Sequence, residues 1–292
     1  MARASIPVDL LNPGQVFACL GLIEAAEQLT GEARGAFDWS DAGAPRFDIE
    51  CAGDESPVAM VLRFLADADI GSLAPAGTTQ STAKWNIPTI PLLDGAPYPF
   101  PLPNTPATLP AILSSADGTR IVIDHWGESV THTGRDHVKF WAGAGGYPGA
   151  ALTKDAIDLV RGQIATADAD PFSISAPQSG SFRFDWRRDY IPIDAGFSPN
   201  QHSALTMLGY PLVELLAAIG LSNARPKRID RLAYRYAAIA VGEDRELLDP
   251  SFLRAALGAS ELPFPRRVFK MELGWPGQEG QARCITNVIE EP

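Results

Sequence analysis

From Asn12 to Leu29 the chain reads NPGQVFACLGLIEAAEQL, apolar on nearly every turn of a 3.6-residue period, with Gly21 in its middle. The pattern predicts a helix over 13–30, capped by Asn12, with Pro13 in its first turn and Gly31 at its end. A related phrase follows much later, Tyr210-Pro-Leu-Val-Glu-Leu-Leu-Ala-Ala-Ile-Gly-Leu221, which predicts a second helix over about 209–221. Ala18-Cys-Leu-Gly-Leu22 aligns with Ala217-Ala-Ile-Gly-Leu221 at a single offset. A glycine inside a helix costs about 1 kcal/mol against alanine. Two of them in the same apolar setting predict close backbone packing, a mark of an assembled scaffold more than of an active site.

Elsewhere short alternating runs predict strands at 6–11, 37–39, 46–51, 120–126, 137–141, 181–188, 231–241, 267–273 and 282–289. Helical spacing predicts further helices from Ser56-Pro57, over about 150–165 and over 250–257. Between Ile70 and Pro110, prolines at 75, 88, 91, 97, 99, 101, 103, 106 and 110 rule out a central strand or a long helix. Trp85, within that segment, reads as an anchor onto the core or an exposed contact. Helices and strands do not alternate regularly. The expected class is therefore α+β, with mixed, mostly antiparallel sheets and packed helices. The glycine-helix echo suggests two related lobes, 1–110 ending in the proline-rich loop and 111–292. A single compact domain is the alternative.

The chain has 292 residues, 46% of them hydrophobic and 20% charged, enough for a sizeable core. Its net charge of −11 excludes a bulk polyanion binder, but the charge is uneven. Residues 1–120 hold 6 Lys/Arg and 14 Asp/Glu, whereas Arg225–Lys270 holds 10 and 6. Three widely spaced cysteines, Cys19, Cys51 and Cys284, argue against a disulfide frame or a zinc site. No signal-peptide pattern opens the chain and no apolar run reaches about 18 residues, so a cytoplasmic protein without a membrane span is expected.

Ala142-Gly-Ala-Gly-Gly-Tyr-Pro-Gly149, between a strand and a helix, has the order of a phosphate cradle, with Gly143, Gly145, Gly146 and Gly149 as backbone contacts. It lacks the GK[ST] ending and the GxGxxG spacing, so no nucleotide cofactor is expected. His125, His132 and His137 lie within thirteen residues, near Asp124, Glu128 and Asp136, but without HExxH or an HD pair. A metal- or nucleotide-dependent hydrolase at the glycine loop and these histidines is one reading. Surface and turn histidines are the plainer one, and no metal or catalytic residue is assigned. GxSxG is absent.

The most distinctive polar stretch runs from Phe182 to Asn200. On a strand its aromatics Phe182, Phe184 and Trp186 would meet the core. Arg183 and Arg187 would then point outward beside Asp185, with Arg188 continuing into a turn. Interleaved arginines and aromatics suit a nucleic-acid or protein interface, and internal Arg–Asp pairing is the alternative. Arg225, Lys227, Arg228, Arg231 and Arg235 form the best backbone-binding candidates.

Together the Asn12–Leu29, Phe140–Gly149 and Phe182–Asn200 phrases resemble a small accessory family of type I-U (also called I-G) CRISPR–Cas loci, over most of the chain. The opening NPGQVFACLGLIEAA is similar to the start shared by several proteins of those loci. The resemblance implies antiviral defence beside a guide-RNA effector complex, with other effector subunits as partners and guide RNA or target DNA as contacts. It carries over no catalytic residue, and no cofactor is implied. A scaffold that binds protein alone, through the acidic N-terminal half and the proline-rich loop, is a further alternative.

Overall fold

Helix α1, Pro13–Thr30, is the spine of the molecule. The Asn12 side chain accepts a hydrogen bond from the Gly14 N–H, Pro13 occupies the first turn, and Gly31 closes the helix with φ of 81°. Every residue from Pro13 to Ala26 is buried, Gln15 and Glu24 among them, so the helix is covered on all sides. The computed structural model describes residues 1–92, 97–100, 102–103, 105–126, 147–164, 166–187, 207–242, 246–274 and 283–292.

One side of α1 rests on a sheet of β1 (Ala2–Pro7), β2 (Ala33–Asp38) and β3 (Arg46–Cys51), antiparallel in the order β1-β3-β2. Ile6, Phe47 and Phe37 share one row of that sheet and are all buried. Helix α2, Pro57–Asp67, buries Val58, Val61, Leu62 and Leu65 along one face. The expected strand at 6–11 begins earlier and ends at Pro7. Asp9 turns the chain there, its side chain accepting from the Leu11 N–H at 2.9 Å.

A second sheet, β5-β4-β6-β7, comprises β4 (Asp69–Ala74), β5 (Thr89–Pro91), β6 (Ala111–Ser114) and β7 (Arg120–Ile123). It corrects the expectation that 70–110 holds no central strand, because β4 pairs with β5 on one side and β6 on the other. Pro91 is tolerated because β5 is an edge strand of three residues. The pairing of β4 with β6 spans residue 110, so this sheet joins residues on both sides of it. Trp85 packs against the core, edge-on to Tyr147 at 6.3 Å between ring centroids.

Helix α3 is Gly149–Ile164. The short pair β8 (Ala176–Pro177) and β9 (Leu208–Gly209) leads into α4, Pro211–Asn223. The last sheet is the antiparallel meander β10 (Lys227–Asp230), β11 (Ala233–Ile239), β12 (Arg266–Gly274) and β13 (Cys284–Glu291), with α5 (Pro250–Leu257) between its middle strands. The fold is α+β with mostly antiparallel sheets, as expected. The order strand, glycine helix, strand, strand, helix, strand occurs twice, as β1-α1-β2-β3-α2-β4 and as β9-α4-β10-β11-α5-β12. The two sheets are built differently, because β9 pairs with β8 instead of entering the meander.

The two glycine helices cross at their glycines. A Cβ on Gly21 would collide with the Leu216 carbonyl, 2.7 Å from its carbon. A Cβ on Gly220 would lie 2.8 Å from the Gly21 nitrogen and on the Phe17 carbonyl oxygen. Phe17 precedes Gly21 by four residues and Leu216 precedes Gly220 by four, so the crossing has a local two-fold character. Backbones this close replace side-chain interdigitation by direct contact, including the weak Cα–H···O kind.

Helix α5 is fastened to α1 by charge. Arg254 donates to Glu24, 2.7 Å to Oε2, and to Glu27 at 3.0 Å; the Glu24 side chain is 2% exposed and that of Arg254 36%. Burial lifts the Glu24 carboxyl above the usual range, and Arg254 pulls it part of the way back. Arg254→Met is expected to lower stability by about 2–3 kcal/mol at neutral pH. That is less than the roughly 3–5 kcal/mol of a fully buried pair, because solvent screens the cation. Without Arg254 the Glu24 carboxyl rises further. Between its unfolded and folded values the native state then binds more protons, so stability falls as pH rises through that window and returns on acidification. Urea midpoints should show the loss shrinking towards pH ~5. An equal loss at both pH values would contradict this account.

Candidate functional site

The phrases singled out in the sequence converge at one end of the helix pair. Trp126 and Phe182 stack at 5.7 Å with planes 15° apart, and Phe182 stacks on Phe184 at 5.6 Å and 4°. His125 is fully buried among Trp126, Phe182 and Phe184. Gly149, the last glycine of the proposed cradle, starts α3 against the Trp126 indole, where a Cβ would lie 2.5 Å from Cζ2. Gly143, Gly145, Gly146, His132, His137 and Arg188 lie outside the described residues. Thus His125, Gly149, Phe182 and Phe184, remote in sequence, meet in one aromatic plug.

The stretch at 181–187 is not a strand. Arg183 sits in the left-handed region at φ of 67°, which breaks the alternation yet returns Phe182 and Phe184 to the same side. The local N–H groups have another destination. Phe184 and Asp185 both donate to Oε1 of Glu214 at 3.1 Å, and Phe184 also to Oε2 at 3.2 Å. Glu214 stands in the first turn of α4 and is 1% exposed. Backbone donors supplied with a buried carboxylate have no need of a neighbouring strand.

Asp185 is likewise 1% exposed. It accepts from Asn12 Nδ2 at 3.0 Å, from the Arg187 backbone N–H at 2.9 Å, and from the Arg187 guanidinium at 2.6 and 3.0 Å. Arg187 also donates to the Phe172 carbonyl at 2.9 Å and lies 3.5 Å over the Tyr210 ring. The internal Arg–Asp pairing considered for this stretch is therefore what Arg187 makes. The same 184–185 backbone passes over Gly14 of α1. One short segment so joins the N-terminal ends of both glycine helices. Comparison with protein-family models, curated proteins and solved structures finds no match. No helix of the described residues is long and apolar enough to cross a membrane.

The second group of candidates lies apart from the plug, on and beside the first two strands of the meander. Lys227 faces Arg235 directly across β10 and β11. Arg228 faces Tyr234 instead, and its Nε donates to the Asp230 carbonyl at 3.0 Å. Arg231 is exposed just beyond β10, and Arg225 is half-buried after α4. The register brings in Lys270, opposite Arg235 on β12. Sequence reasoning passed over Lys270, although its parity with Val268 and Glu272 was available in the expected 267–273 strand. Carboxylates accompany these cations. Arg235 pairs with Glu291, Lys270 with Glu272 at 2.8 Å, Arg267 with Glu290 at 2.6 Å and Arg266 with Glu261 at 3.5 Å. Each pairing holds Glu272, Glu290 and Glu291 below the ordinary carboxylate range, the hydrogen bond from the cation being the main cause.

A cleft of 780 Å³ opens where the first sheet meets the meander, lined by Arg3, Ser5, Asp38, Trp39, Asp48 and Val241 among others. The strands around it are tied by paired backbone hydrogen bonds between Gly35 and Leu248 and by a bridge from Phe37 to Ala240.

Proposed function

We infer that the chain is a non-catalytic structural component of a type I-U (I-G) CRISPR–Cas effector complex, acting in the cytoplasm in antiviral defence. The support is the use made of its distinctive residues. The phrase that resembles the family's opening is the buried spine α1, and Asp185 and Arg187 of the Phe182–Asn200 phrase act as struts. Asp185 and Glu214 spend their oxygens on Asn12, Arg187 and backbone N–H groups, which fixes a loop across two helices. Carboxylates committed in this way suit a rigid frame. Nucleic acid would be met through the cations of β10 and its neighbours, and sister subunits through the rest of the surface.

The test is recovery of the tagged chain from its native host, with half of the sample treated with nuclease and both protein and nucleic acid read. Effector subunits recovered with short, uniform RNA are the expected result. Recovery of the chain alone overturns the reading. Subunits without RNA, in treated and untreated halves alike, would favour a scaffold that binds protein only.

A further inference from the structure

The outer face of the meander carries a line of cations that the register makes continuous. Lys227, Arg235 and Lys270 are direct neighbours across β10, β11 and β12. Tyr234, Tyr236, Phe269 and Met271, of opposite parity, are buried on the inner face. Lys227, Arg235 and Arg266 line a concavity of 670 Å³ together with Glu261, Glu291 and Pro292. We propose that this face holds the phosphate backbone of a single-stranded nucleic acid, and that Glu272 and Glu291 restrain its affinity by pairing with Lys270 and Arg235.

Strands lie about 4.8 Å apart, so the three cations span about 10 Å. That is enough to follow one backbone and too little to bridge a duplex, whose major groove alone is about 12 Å wide. The described aromatic rings belong to the inner face, so the contact is with phosphate and sugar and reads no sequence. Lys227, Arg235, Arg266 and Lys270 face Glu261, Glu272 and Glu291, and Asp230 acts on Lys270 as well, so the resting face is close to neutral and attraction arises only as carboxylates are exchanged for phosphate. On a chain of net charge −11, a face whose cations and carboxylates balance repels a strand less than the average surface does. Arg235 and Lys270 become available to phosphate when they exchange their carboxylates for it.

This proposal rests on the reading of the chain as a component that works beside nucleic acid. It is tested separately on the purified full chain, by fluorescence anisotropy with labelled single-stranded RNA and DNA of about 16 nucleotides and with the matching duplex. Lys227→Gln is expected to weaken single-strand binding about threefold to tenfold and to reduce the salt slope by about 1. Glu272→Gln with Glu291→Gln is expected to tighten binding about threefold to tenfold, a gain that a damaged fold would not produce. Lys227→Gln binding like the parent, the carboxylate variant failing to tighten, or preference for the duplex would each overturn the site. If that happens while the parent still recovers effector subunits from the host, the site fails and the functional reading stands.

Discussion

Gly21→Ala is expected to remove most of the protein's stability, by on the order of 4 kcal/mol or more, although alanine is the better helix former by about 1 kcal/mol. The added methyl would collide with the Leu216 carbonyl, 2.7 Å from its carbon, and backbone cannot rotate away as a flexible side chain can. The helices must part, and the contacts along both buried helices loosen together. Gly220→Ala should behave alike, since its methyl meets Phe17 and Gly21. The double variant should lose less than the sum, because a pair already forced apart has room for the second methyl. Gly162→Ala is the control: nothing lies within 4 Å of its Cβ, and a gain of about 0.5–1 kcal/mol is expected there. Denaturant midpoints for the four variants decide the matter. A Gly21→Ala midpoint equal to the parent's would mean that the crossing is not as close as described.

Glu214→Met should be nearly as damaging, at about 3–5 kcal/mol. It leaves the Phe184 and Asp185 N–H groups buried without their acceptor, each a loss of about 1–3 kcal/mol, more where the acceptor was charged. Glu214→Gln retains an oxygen within reach of both donors and should lose less than half as much. The contrast separates acceptor loss from change of volume, since Met and Gln are of similar size. Equal losses in the two variants would show that charge, and not the acceptor, fastens the loop. Near-ultraviolet circular dichroism should register the Met variant too, because Phe182, Phe184 and Trp126 depend on the same segment.

These two sites differ in how far the sequence announces them. The bounds of α1 follow from Asn12, Pro13 and Gly31, all local signals, and α5 and β3 from equally local ones. The crossing was foreshadowed by the repeated glycine, because only a close approach justifies the same helix-weakening residue twice. The 181–187 segment misleads for a physical reason. Its alternation is real, and Phe182 and Phe184 do share a side. What makes them do so is the left-handed Arg183 together with Glu214, thirty residues from Phe184. The strands β4, β5 and β6 were hidden by prolines that fall at an edge or just outside a strand, where a missing N–H does no harm. In the meander the parity of Lys270 was legible but its neighbours were not. Register across three strands, and a Glu291 that lies 56 residues from Arg235, exist only after folding.

The pairing of α1 with α4 also sets a timetable for synthesis. The helix that most needs cover ends at Thr30, and its partner, made later, ends at Asn223. At about 5–20 residues per second, a ribosome takes roughly 10–40 s to travel from one to the other. During that interval a helix of eighteen residues, buried from Pro13 to Ala26 in the folded protein, has only part of its final surroundings. Slow codons or a pause between the two helices would lengthen the exposure, and chaperones that shelter nascent apolar segments would shorten its consequences. Yield of folded protein should therefore depend on the rate of translation between the two helices.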